Sequence, residues 1–470
     1  MGLAQLAERV AAGVVPAREM VSLSLRRIER LDPDLHAVVA IRAEALEDAR
    51  VLDDAIAAGA DVGPLAGLPV LVKDVTDVAG MRTTFGSRWL ADAPPASDDG
   101  LVPARLRNAG AIVVGKTNTP EFATEAFTSN LLFGTTGNPW RLDASPGGSS
   151  GGSGAALAAG MVPIATAADG GGSVRIPASW CGLVGLKPTN GVIGRDPIPD
   201  WIDFSTDGPI GTSVADVRLL LEVMAGPVPG DPSALPGALP EPTRSVERLL
   251  AIDRWADWGP LPDEVAQLFE GAVDRLGRLL GLSVGRVGAA ALFGEANVDE
   301  DWFTIAGAEH AHHLGRETIQ VRGSELHPMA RALLEDGLQV SIEDYLAARR
   351  RRFAYVRALD ELLADDALIC SPVMTITWCP ADGVMPGASG PGLPPDSYGT
   401  QVQNMTGHPA VSVPAGRSSD GVPFGLQITG PRFSDRLLLE IAARWERAHP
   451  WPLVAEGYIP FDPTGGPDGD

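Results

Sequence analysis

Two glycine- and serine-rich tracts, about twenty residues apart, are the first feature of this chain that could do chemistry. One reads GGSSGGSG (147–154) and the other reads DGGGS (169–173). Such runs are usually flexible linkers, but the first passes directly into the apolar, helix-forming AALAAGMV, so no new domain has to begin after it. In the second, three glycines precede Ser173, and glycines allow successive backbone N–H groups to converge on one anion. A serine beside such a nest suits acyl transfer, because it offers a nucleophile and donors for the oxyanion.

A serine nucleophile needs a base, and the sequence offers two types. Gly147–Gly151 satisfies G-x-S-x-G, the nucleophile elbow of α/β-hydrolases, with His408 as the later histidine in a suitable loop. The preceding segment NPWRLDAS does not read as a strand, so this Ser–His–Asp esterase interpretation is the weaker one. Lys73 ends the apolar segment 68–72. Burial there would lower the pKa of a lysine from about 10.4 far enough for it to accept a proton.

Metal and nucleotide chemistry are poorly supported by the motifs. The segment EHAHH places His310 and His313 on one face of a helix, but no carboxylate or cysteine set with ligand spacing accompanies them. This pair is interpreted as a solvated helix face. The chain also lacks G-x-x-x-x-G-K-[ST], the phosphate-binding loop of many nucleotide hydrolases. We therefore expect no metal and no other cofactor.

The elements that would position these residues read as an α/β fold. Short apolar segments typical of buried strands occur five times, between stretches of helical periodicity: 67–74, 111–118, 162–169, 367–374 and 411–414. Continuous apolar strands separated by helices predict a central mixed, largely parallel twisted sheet covered by helices on both faces. Residues 1–60 read as helices, and Ser213–Gly226 reads as a helix with a capping-box-like start. Strand signals on both sides of the Pro/Gly-rich interval 226–242 favour one large domain.

At this point the residues resemble the amidase signature enzymes. The tract GGSSGGSGAALAAG, followed by DGGGSVRIPASWCGLVGLKPTNG, fits the family signature, and PVLVKDV fits its lysine strand. The spacings also agree, with Ser149 76 residues after Lys73 and Ser173 24 residues after Ser149. The resemblance extends to GKTNTPEF, NMTGHPAVSVPAG and GVPFGLQITGP. It implies an amidase signature domain over residues 1–462 with a variable middle at about 230–395, and a disordered tail at 463–470.

The resemblance also implies a Ser–cisSer–Lys triad. Ser173 would be the acyl-accepting nucleophile, and Ser149, after a cis peptide bond, would bridge it to neutral Lys73. Lys73 would take the proton through Ser149 and later return it to the leaving amine.

Further signature positions are implied to support the triad. The backbone N–H groups of Gly170, Gly171, Gly172 and Ser173 would form the oxyanion hole. Ser150, Asp169 and Arg175 also fall on signature positions, and the last two are expected to form a structural ion pair. The chain departs from the family at Gly170, where many members carry a larger residue, and this could loosen the oxyanion loop.

The composition and net charge of the chain limit the kinds of partner it is expected to bind. The 470 residues include 37 Lys and Arg against 60 Asp and Glu, a net charge of −23, which would repel nucleic-acid phosphates. The three cysteines form no pair or framework motif and are expected to be reduced and mostly buried. Neither a signal peptide nor a long apolar span is recognised, so we expect a cytoplasmic protein that does not enter a membrane, as a monomer or homodimer.

The substrate is expected to be a neutral, fairly apolar small amide, or a related carbamate or ester. The divergent segments carry aromatic side chains that could line an apolar pocket, namely Trp201, Phe204, Trp302, Phe303, Trp378 and Tyr398. No convincing pair of charged residues for the two ends of free glutamine is found there. The alternative within the family is a glutamine-hydrolysing subunit of a tRNA-dependent amidotransferase.

Overall fold

A computed structural model describes residues 1–197, 201, 203–235, 237, 239 and 245–463 of the chain. Residues 464–470, nearly all of the tail expected to be disordered, lie outside the described residues.

The strands alternate with helices along most of the chain. In chain order the strands are β1 (Val38–Ile41), β2 (Pro69–Lys73), β3 (Ile112–Thr117), β4 (Ser129–Asn130), β5 (Gly134–Thr135), β6 (Ile164–Asp169), β7 (Val184–Lys187), β8 (Thr206–Gly211), β9 (Arg248–Ala251), β10 (Val284–Arg286), β11 (Ala367–Pro372), β12 (Ala410–Arg417) and β13 (Pro423–Thr429). The helices are α1 (Leu3–Ala11), α2 (Ala17–Leu35), α3 (Ala45–Ala57), α4 (Leu101–Asn108), α5 (Gly151–Ala158), α6 (Arg175–Trp180), α7 (Val214–Met224), α8 (Asp263–Leu280), α9 (Ala289–Phe293), α10 (Val298–Leu314), α11 (Arg316–Arg322), α12 (Pro328–Gly337), α13 (Ile342–Leu363), α14 (Gln401–Thr406) and α15 (Asp435–Ala448).

One mixed sheet organises the domain. Within the described residues it has eleven strands in the order β1-β3-β2-β6-β8-β7-β12-β13-β11-β9-β10. Parallel pairing joins β3, β2 and β6 on one side, and β11, β9 and β10 on the other. The pairs between these two groups, and that of β1 with β3, are antiparallel. The expected single α/β domain with a mixed, helix-covered sheet is confirmed, with its parallel strands in two separate runs.

The apolar segments form strands where the sequence predicts them. Four of the five contain a whole strand and the fifth, 411–414, lies within β12; β2, β3 and β11 are buried at every position. Such continuous burial requires cover on both faces, which explains the absence of a polar alternation. The helix predicted at Ser213–Gly226 is α7, and Ser213 Oγ accepts a hydrogen bond from the N–H of Asp216. The short strand β1 lies in the N-terminal region that the pattern assigns to helices alone.

The parallel strands β3, β2 and β6 determine where the candidate site lies. Strands β2 and β6 are parallel neighbours, with Val70 opposite Ile164. Their carboxyl ends therefore lie at the same edge of the sheet, where open α/β sheets commonly bind ligands. Lys73 is the last residue of β2 and Asp169 is the last residue of β6, so the tract DGGGS begins at that edge.

The first Gly/Ser tract is packed core rather than a linker. Its residues are buried, and Gly151–Ala158 forms α5. A Cβ atom at Gly152 would lie 2.5 Å from the backbone nitrogen of Asn118, and one at Gly148 would lie 2.6 Å from the carbonyl oxygen of Glu125. These separations are too short for any side chain, so the glycines are required by close backbone packing.

The variable middle of the chain builds a second apolar layer beside this edge. Helices α10 and α13 pack with β11 and α14 through a cluster that includes Trp302, Ile305, Tyr355 and Met405. Within the described residues, Cys181, Cys370 and Cys379 are free and buried, as expected for reduced cysteines. None of the described helices is both long and apolar enough to cross a bilayer.

Candidate active site

Lys73 projects a buried amine from the end of β2. Its Nζ donates a hydrogen bond of 2.6 Å to Ser149 Oγ, and its backbone N–H donates to Thr166 Oγ1 at 2.9 Å. Burial lowers the pKa of Lys73 to about 7, against the opposing charges of Asp207 and Asp169. A large fraction of this lysine is therefore neutral near pH 7, and a neutral amine can accept a proton.

Ser149 is held by the packed glycine tract. The Gly148–Ser149 peptide bond is cis. The carbonyl of Gly147 accepts a hydrogen bond of 2.8 Å from Thr128 Oγ1, and the N–H of Gly147 donates to Ser145 Oγ at 3.1 Å. Ser149 itself is only 1% exposed and lines the same cavity as Lys73 and Ser173.

Each of the three glycines before Ser173 lies against a different side chain. A Cβ atom at Gly170 would lie 2.2 Å from the Trp201 ring, one at Gly171 would lie 2.7 Å from the Trp302 ring, and one at Gly172 would lie 2.2 Å from Thr400 Oγ1. The loop therefore has room for glycine alone. The ring of Trp201 fills the space beside Gly170, so the glycine that was expected to loosen the loop does not leave it unpacked.

Two hydrogen bonds fix the orientation of these peptides. Trp302 Nε1–H donates to the carbonyl of Gly170 at 2.8 Å, and the Thr400 hydroxyl donates to the carbonyl of Gly171 at 2.5 Å. Because a peptide N–H points opposite to its carbonyl, holding the two carbonyls also sets the direction of the N–H groups that follow them.

The oxyanion hole implied by the resemblance needs one correction. The N–H of Gly172 donates to Asp169 Oδ1 at 2.8 Å and is therefore already engaged. Asp169 Oδ2 similarly accepts from the N–H of Val174 at 3.2 Å. Of the four expected donors, those of Gly170, Gly171 and Ser173 remain as candidates.

Asp169 and Arg175 form a buried two-point ion pair across the nucleophile turn. Arg175 Nη2 and Nε lie 2.8 and 2.9 Å from Asp169 Oδ1 and Oδ2, and both side chains are fully buried. Burial by itself would raise the pKa of Asp169, but the charge and hydrogen bonds of Arg175, together with a hydrogen bond from Asn404, outweigh it and lower the pKa to about 2.

Amide side chains complete this network. Arg175 Nη1 donates to Gln403 Oε1 and Gln427 Oε1 at 3.0 and 2.7 Å, and Arg175 Nη2 donates to Asn404 Oδ1 at 2.6 Å. Asn404 Nδ2 in turn donates to both the carbonyl and the Oδ1 of Asp169. Every polar group of the ion pair thus has a partner, as a buried charge pair requires.

Ser150 occupies the N-cap position of α5 and is fully buried. Its hydroxyl donates a long hydrogen bond of 3.4 Å to the carbonyl of Ala168. This contact links the first tract to β6, next to Asp169.

A cavity of about 420 Å³ opens onto Lys73, Ser149 and Ser173. Much of its wall is apolar, contributed by Val75, Phe85, Leu101, Val102, Phe122, Pro197 and Trp201. Charged and ionisable side chains also reach it, namely Asp77, Arg195, Asp196, Asp207, His310 and His313. Arg195 is paired with Asp231 at 3.4 Å.

The interpretation of EHAHH as a solvated helix face is wrong for His310. This side chain is buried in the cavity wall, with ring centroids 5.7 Å from both Phe122 and Trp201. Burial, and next the proximity of His313, lower the pKa of His310 to about 4. The rings of Phe122 and Trp201, from segments distant in sequence, cover this side chain and account for the difference. Within the described part of the chain, no group of three or more potential metal ligands occurs.

His408 does not belong to the cavity wall. It is fully buried, and its Nε2 lies 3.2 Å from Asp360 Oδ1 on α13. Burial lowers its pKa, against the effect of Asp360. This environment explains its presence without a catalytic role.

Four of the six aromatic candidates are at the site. Trp201 lines the large cavity, and Trp201, Trp302, Phe303 and Tyr398 line a smaller one that also reaches Ser173. Phe204 is buried behind Trp201, and Trp378 lies over Arg141 with its Nε1–H bonded to Asp420. Sequence reasoning missed Thr400, Gln403 and Asn404, although they directly precede or begin the recognised NMTGHPAVSVPAG segment, as well as Gln427 in GVPFGLQITGP.

We expect Arg175→Met to destabilise the protein strongly. Removing one partner leaves Asp169 buried without its counter-ion, which costs about 3–5 kcal/mol of unfolding free energy. The measurement is the midpoint of chemical denaturation, followed by circular dichroism. Arg50→Met is the matched control, because Arg50 pairs with Glu47 and Asp54 on an exposed helix face and its loss should leave the midpoint nearly unchanged. Equal shifts in the two variants would contradict the role assigned to the pair.

Known proteins share this fold and sequence along nearly the whole chain. The Amidase family model matches residues 19–439. The putative amidase AmiB2 of Mycobacterium tuberculosis is 34% identical, with 96% of each chain covered. An acylamidase of Rhodococcus erythropolis is 33% identical over 95% of each chain. A glutamyl-tRNA(Gln) amidotransferase subunit of Synechococcus is 35% identical over 94% of this chain and 95% of the relative.

Solved structures give the same result. A bacterial aryl acylamidase of the amidase signature family superposes with a TM-score of 0.86, at 28% identity and 96% coverage of each chain. A 6-aminohexanoate cyclic dimer hydrolase superposes with a TM-score of 0.83, at 30% identity, covering 96% of this chain and 97% of that one. The chain described here therefore belongs to the amidase signature family, whose members include amide hydrolases.

Proposed function

We propose that this protein hydrolyses the carbon–nitrogen bond of a neutral, fairly apolar small amide through a serine acyl-enzyme. Ser173 is the nucleophile, Ser149 the bridging hydroxyl and Lys73 the base. The observation that carries the proposal is the hydrogen bond of 2.6 Å between Lys73 Nζ and Ser149 Oγ, made by a buried amine whose pKa is about 7.

The first half of the reaction forms the acyl-enzyme. Neutral Lys73 accepts the proton of Ser149, and Ser149 accepts that of Ser173 as the Ser173 Oγ attacks the carbonyl carbon. The negative charge that develops on the carbonyl oxygen is stabilised by the N–H groups of Gly170, Gly171 and Ser173. When the tetrahedral intermediate collapses, the proton returns from Lys73 through Ser149 to the leaving nitrogen, and the amine departs.

The second half releases the acid. Water attacks the acyl-Ser173 carbonyl while Lys73, through Ser149, takes its proton, and collapse returns that proton to Ser173 Oγ. Lys73 carries a positive charge only during each transfer. The nearby carboxylates Asp207 and Asp169 stabilise that transient charge, since both raise the pKa of Lys73 against the effect of burial.

The apolar wall of the large cavity and the aromatic rings near Ser173 support an apolar substrate. The same serine chemistry acts on a carbonyl whether its leaving group is an amine or an alcohol, so carbamates (urethanase activity) and esters belong to the proposal. The amidotransferase relative favours a second candidate, glutamine hydrolysis with a partner that receives ammonia. Against it, the guanidinium in the wall of the large cavity, Arg195, is already paired with Asp231, whereas glutamine presents a carboxylate.

Ser173 should be the residue that reacts with an acyl-type inhibitor. Treatment with a sulfonyl fluoride followed by peptide mass spectrometry is expected to place one adduct on Ser173, and Ser173→Ala should take up no label and lose turnover. Ser153→Ala is the matched control, because Ser153 lies buried in the same Gly/Ser tract but bonds to the carbonyl of Thr166. Labelling of another serine, or full activity in Ser173→Ala, would refute the assignment.

The rate should follow the ionisation of Lys73. Since the neutral amine is the active form, kcat/KM should rise with pH through an apparent pKa of about 7 and then level off, falling about tenfold per pH unit below it. Lys73→Ala should lose at least about 10²–10⁴-fold, and a chelator should have no effect.

Lys187→Met tests whether the fall of kcat/KM at low pH comes from Lys73 or from Lys187, another buried lysine with a similar pKa. Burial also lowers the pKa of Lys187 to about 7, but its Nζ bonds to the carbonyl of Pro188 and to Asn190, away from the cavity wall. The pH profile should therefore survive in Lys187→Met. If the limb disappears there, or if His408→Ala is as damaging as Lys73→Ala, Lys73 is not the base.

Apolar substrates should be preferred over glutamine. We expect kcat/KM for acyl nitroanilides and an aryl carbamate to exceed that for short peptide amides, and to exceed that for glutamine by the widest margin. All four are measured with the same enzyme preparation. If glutamine is the best substrate, or if an added partner enables transamidation of tRNA, the amidotransferase function replaces this one.

A further inference from the structure

A second, smaller cavity also reaches Ser173, and it shares Trp201 with the large cavity. Its volume is about 30 Å³, which accommodates one or two non-hydrogen atoms. Its lining residues include Gly148 and Gly171, the aromatic residues Trp201, Trp302, Phe303 and Tyr398, and the polar residues Glu125 and Gln401. Neither Glu125 nor Gln401 has a part in the mechanism described above.

Glu125 places a carboxyl group among these rings. Its side chain is buried, and burial alone raises the pKa to about 8. The carboxyl therefore keeps its proton at neutral pH, and offers both an O–H donor and a carbonyl acceptor. Tyr398 lines the same cavity, and burial raises the pKa of its hydroxyl.

Gln401 supplies a second acceptor that the protein itself does not use. Its residue is 2% exposed, and its Oε1 has no hydrogen-bond partner among the described residues. A buried acceptor without a partner costs about 1–3 kcal/mol, so a ligand that donates to it recovers that energy. Gln401 begins α14, the helix that also carries Gln403 and Asn404 of the Arg175 network, and its backbone is therefore firmly placed.

The position of the base decides which end of the substrate enters this cavity. Lys73 and Ser149 line the large cavity, and they must return a proton to the leaving group. The leaving group therefore lies in the large cavity, and the acyl end lies in the small one. A space of one or two atoms admits only a short acyl end.

From this arrangement we propose that the small cavity is an acyl subsite that selects a carbamoyl group over an acetyl group of the same shape. The carbamoyl group carries an amino group where acetyl carries a methyl group. That amino group would donate one hydrogen bond to Gln401 Oε1 and one to the carbonyl oxygen of Glu125, whereas a methyl group would leave both acceptors unsatisfied. This inference rests on the proposed function, and it makes unsubstituted carbamates and ureas with an apolar leaving group the preferred substrates.

Two matched pairs of substrates test it: an aryl carbamate with the corresponding aryl acetate, and an aryl urea with the corresponding acetanilide. For each variant we divide kcat/KM for the carbamoyl substrate by kcat/KM for the acetyl substrate. The two substrates differ in intrinsic reactivity by the same factor in every variant, so this difference cancels when the ratios of two variants are compared. Gln401→Leu and Glu125→Met should each lower the ratio roughly 10- to 100-fold. Glu125→Gln should preserve it, because glutamine copies the donor and acceptor of a protonated carboxyl.

Phe303→Leu is the control, because Phe303 lines the same cavity without a polar group and its replacement should change both substrates alike. Circular dichroism and sulfonyl fluoride labelling of Ser173 establish that each variant is folded. An unchanged ratio in Gln401→Leu and Glu125→Met overturns the subsite while leaving the serine mechanism intact. A loss in Glu125→Gln equal to that in Glu125→Met also overturns it, because a charged carboxylate would then be required. If the wild type hydrolyses no member of either pair through Ser173, both proposals fail.

Discussion

The buried ion pair between Asp169 and Arg175 is the contact on which the geometry of the nucleophile loop depends. Asp169 ends a sheet strand and Arg175 begins the next helix, so the pair closes the turn that carries Ser173. The carboxylate also accepts the N–H groups of Gly172 and Val174, which flank the serine. A charge in this position fixes backbone atoms on both sides of Ser173. The turn is therefore already formed before a substrate arrives, which is what electrostatic stabilisation of an oxyanion requires.

The same burial that makes the pair rigid also sets the ionisation of the base. Lys73 lies at the end of the parallel neighbour of the Asp169 strand, where the protein shields its amine from bulk water. Asp169 acts on both groups, since it forms the two-point ion pair with Arg175 and partly offsets the desolvation of Lys73. If Asp169 were not engaged with Arg175, its charge would act more strongly on Lys73 and favour the protonated, inactive amine. Arg175 thus stays paired with Asp169, while Lys73 can gain and lose its proton near neutral pH.

The candidate site residues proposed to react could be picked out from the sequence, whereas most of the residues that position them could not. Lys73, Ser149 and Ser173 lie in short segments with distinctive composition, and the apolar strands that carry them are recognisable without any long-range information. Trp302 and Thr400 contact the loop from 132 and 229 residues further along the chain, so no local pattern could reveal them.

The engaged N–H of Gly172 was missed for a related reason: a run of glycines shows that donors can converge, but not which of them a neighbouring carboxylate already occupies. The mixed, largely parallel character of the sheet was predicted, but its strand order was not, because apolar residues mark burial on both faces and not which strands are neighbours. His310 was misjudged because its cover comes from Phe122 and Trp201, which lie more than 100 residues before it in the sequence.

The glycine at position 170 shows how this chain meets a family constraint with different atoms. The loop must be packed on its outer side, or its N–H groups would lose their direction. Gly170 has no side chain of its own to supply that packing. Here Trp201 supplies it, and its ring occupies the space that a Cβ atom at position 170 would need. Trp201 contacts Trp302 at 5.4 Å between ring centroids, and Trp302 holds the carbonyl of Gly170. The packing and the hydrogen bond therefore come from one aromatic pair, which also forms the wall shared with the substrate cavities. Under the proposed mechanism, a loop supported by the pocket itself links substrate selection to oxyanion geometry, so replacing a residue of the aromatic wall is expected to change the rate of the chemical step as well as binding.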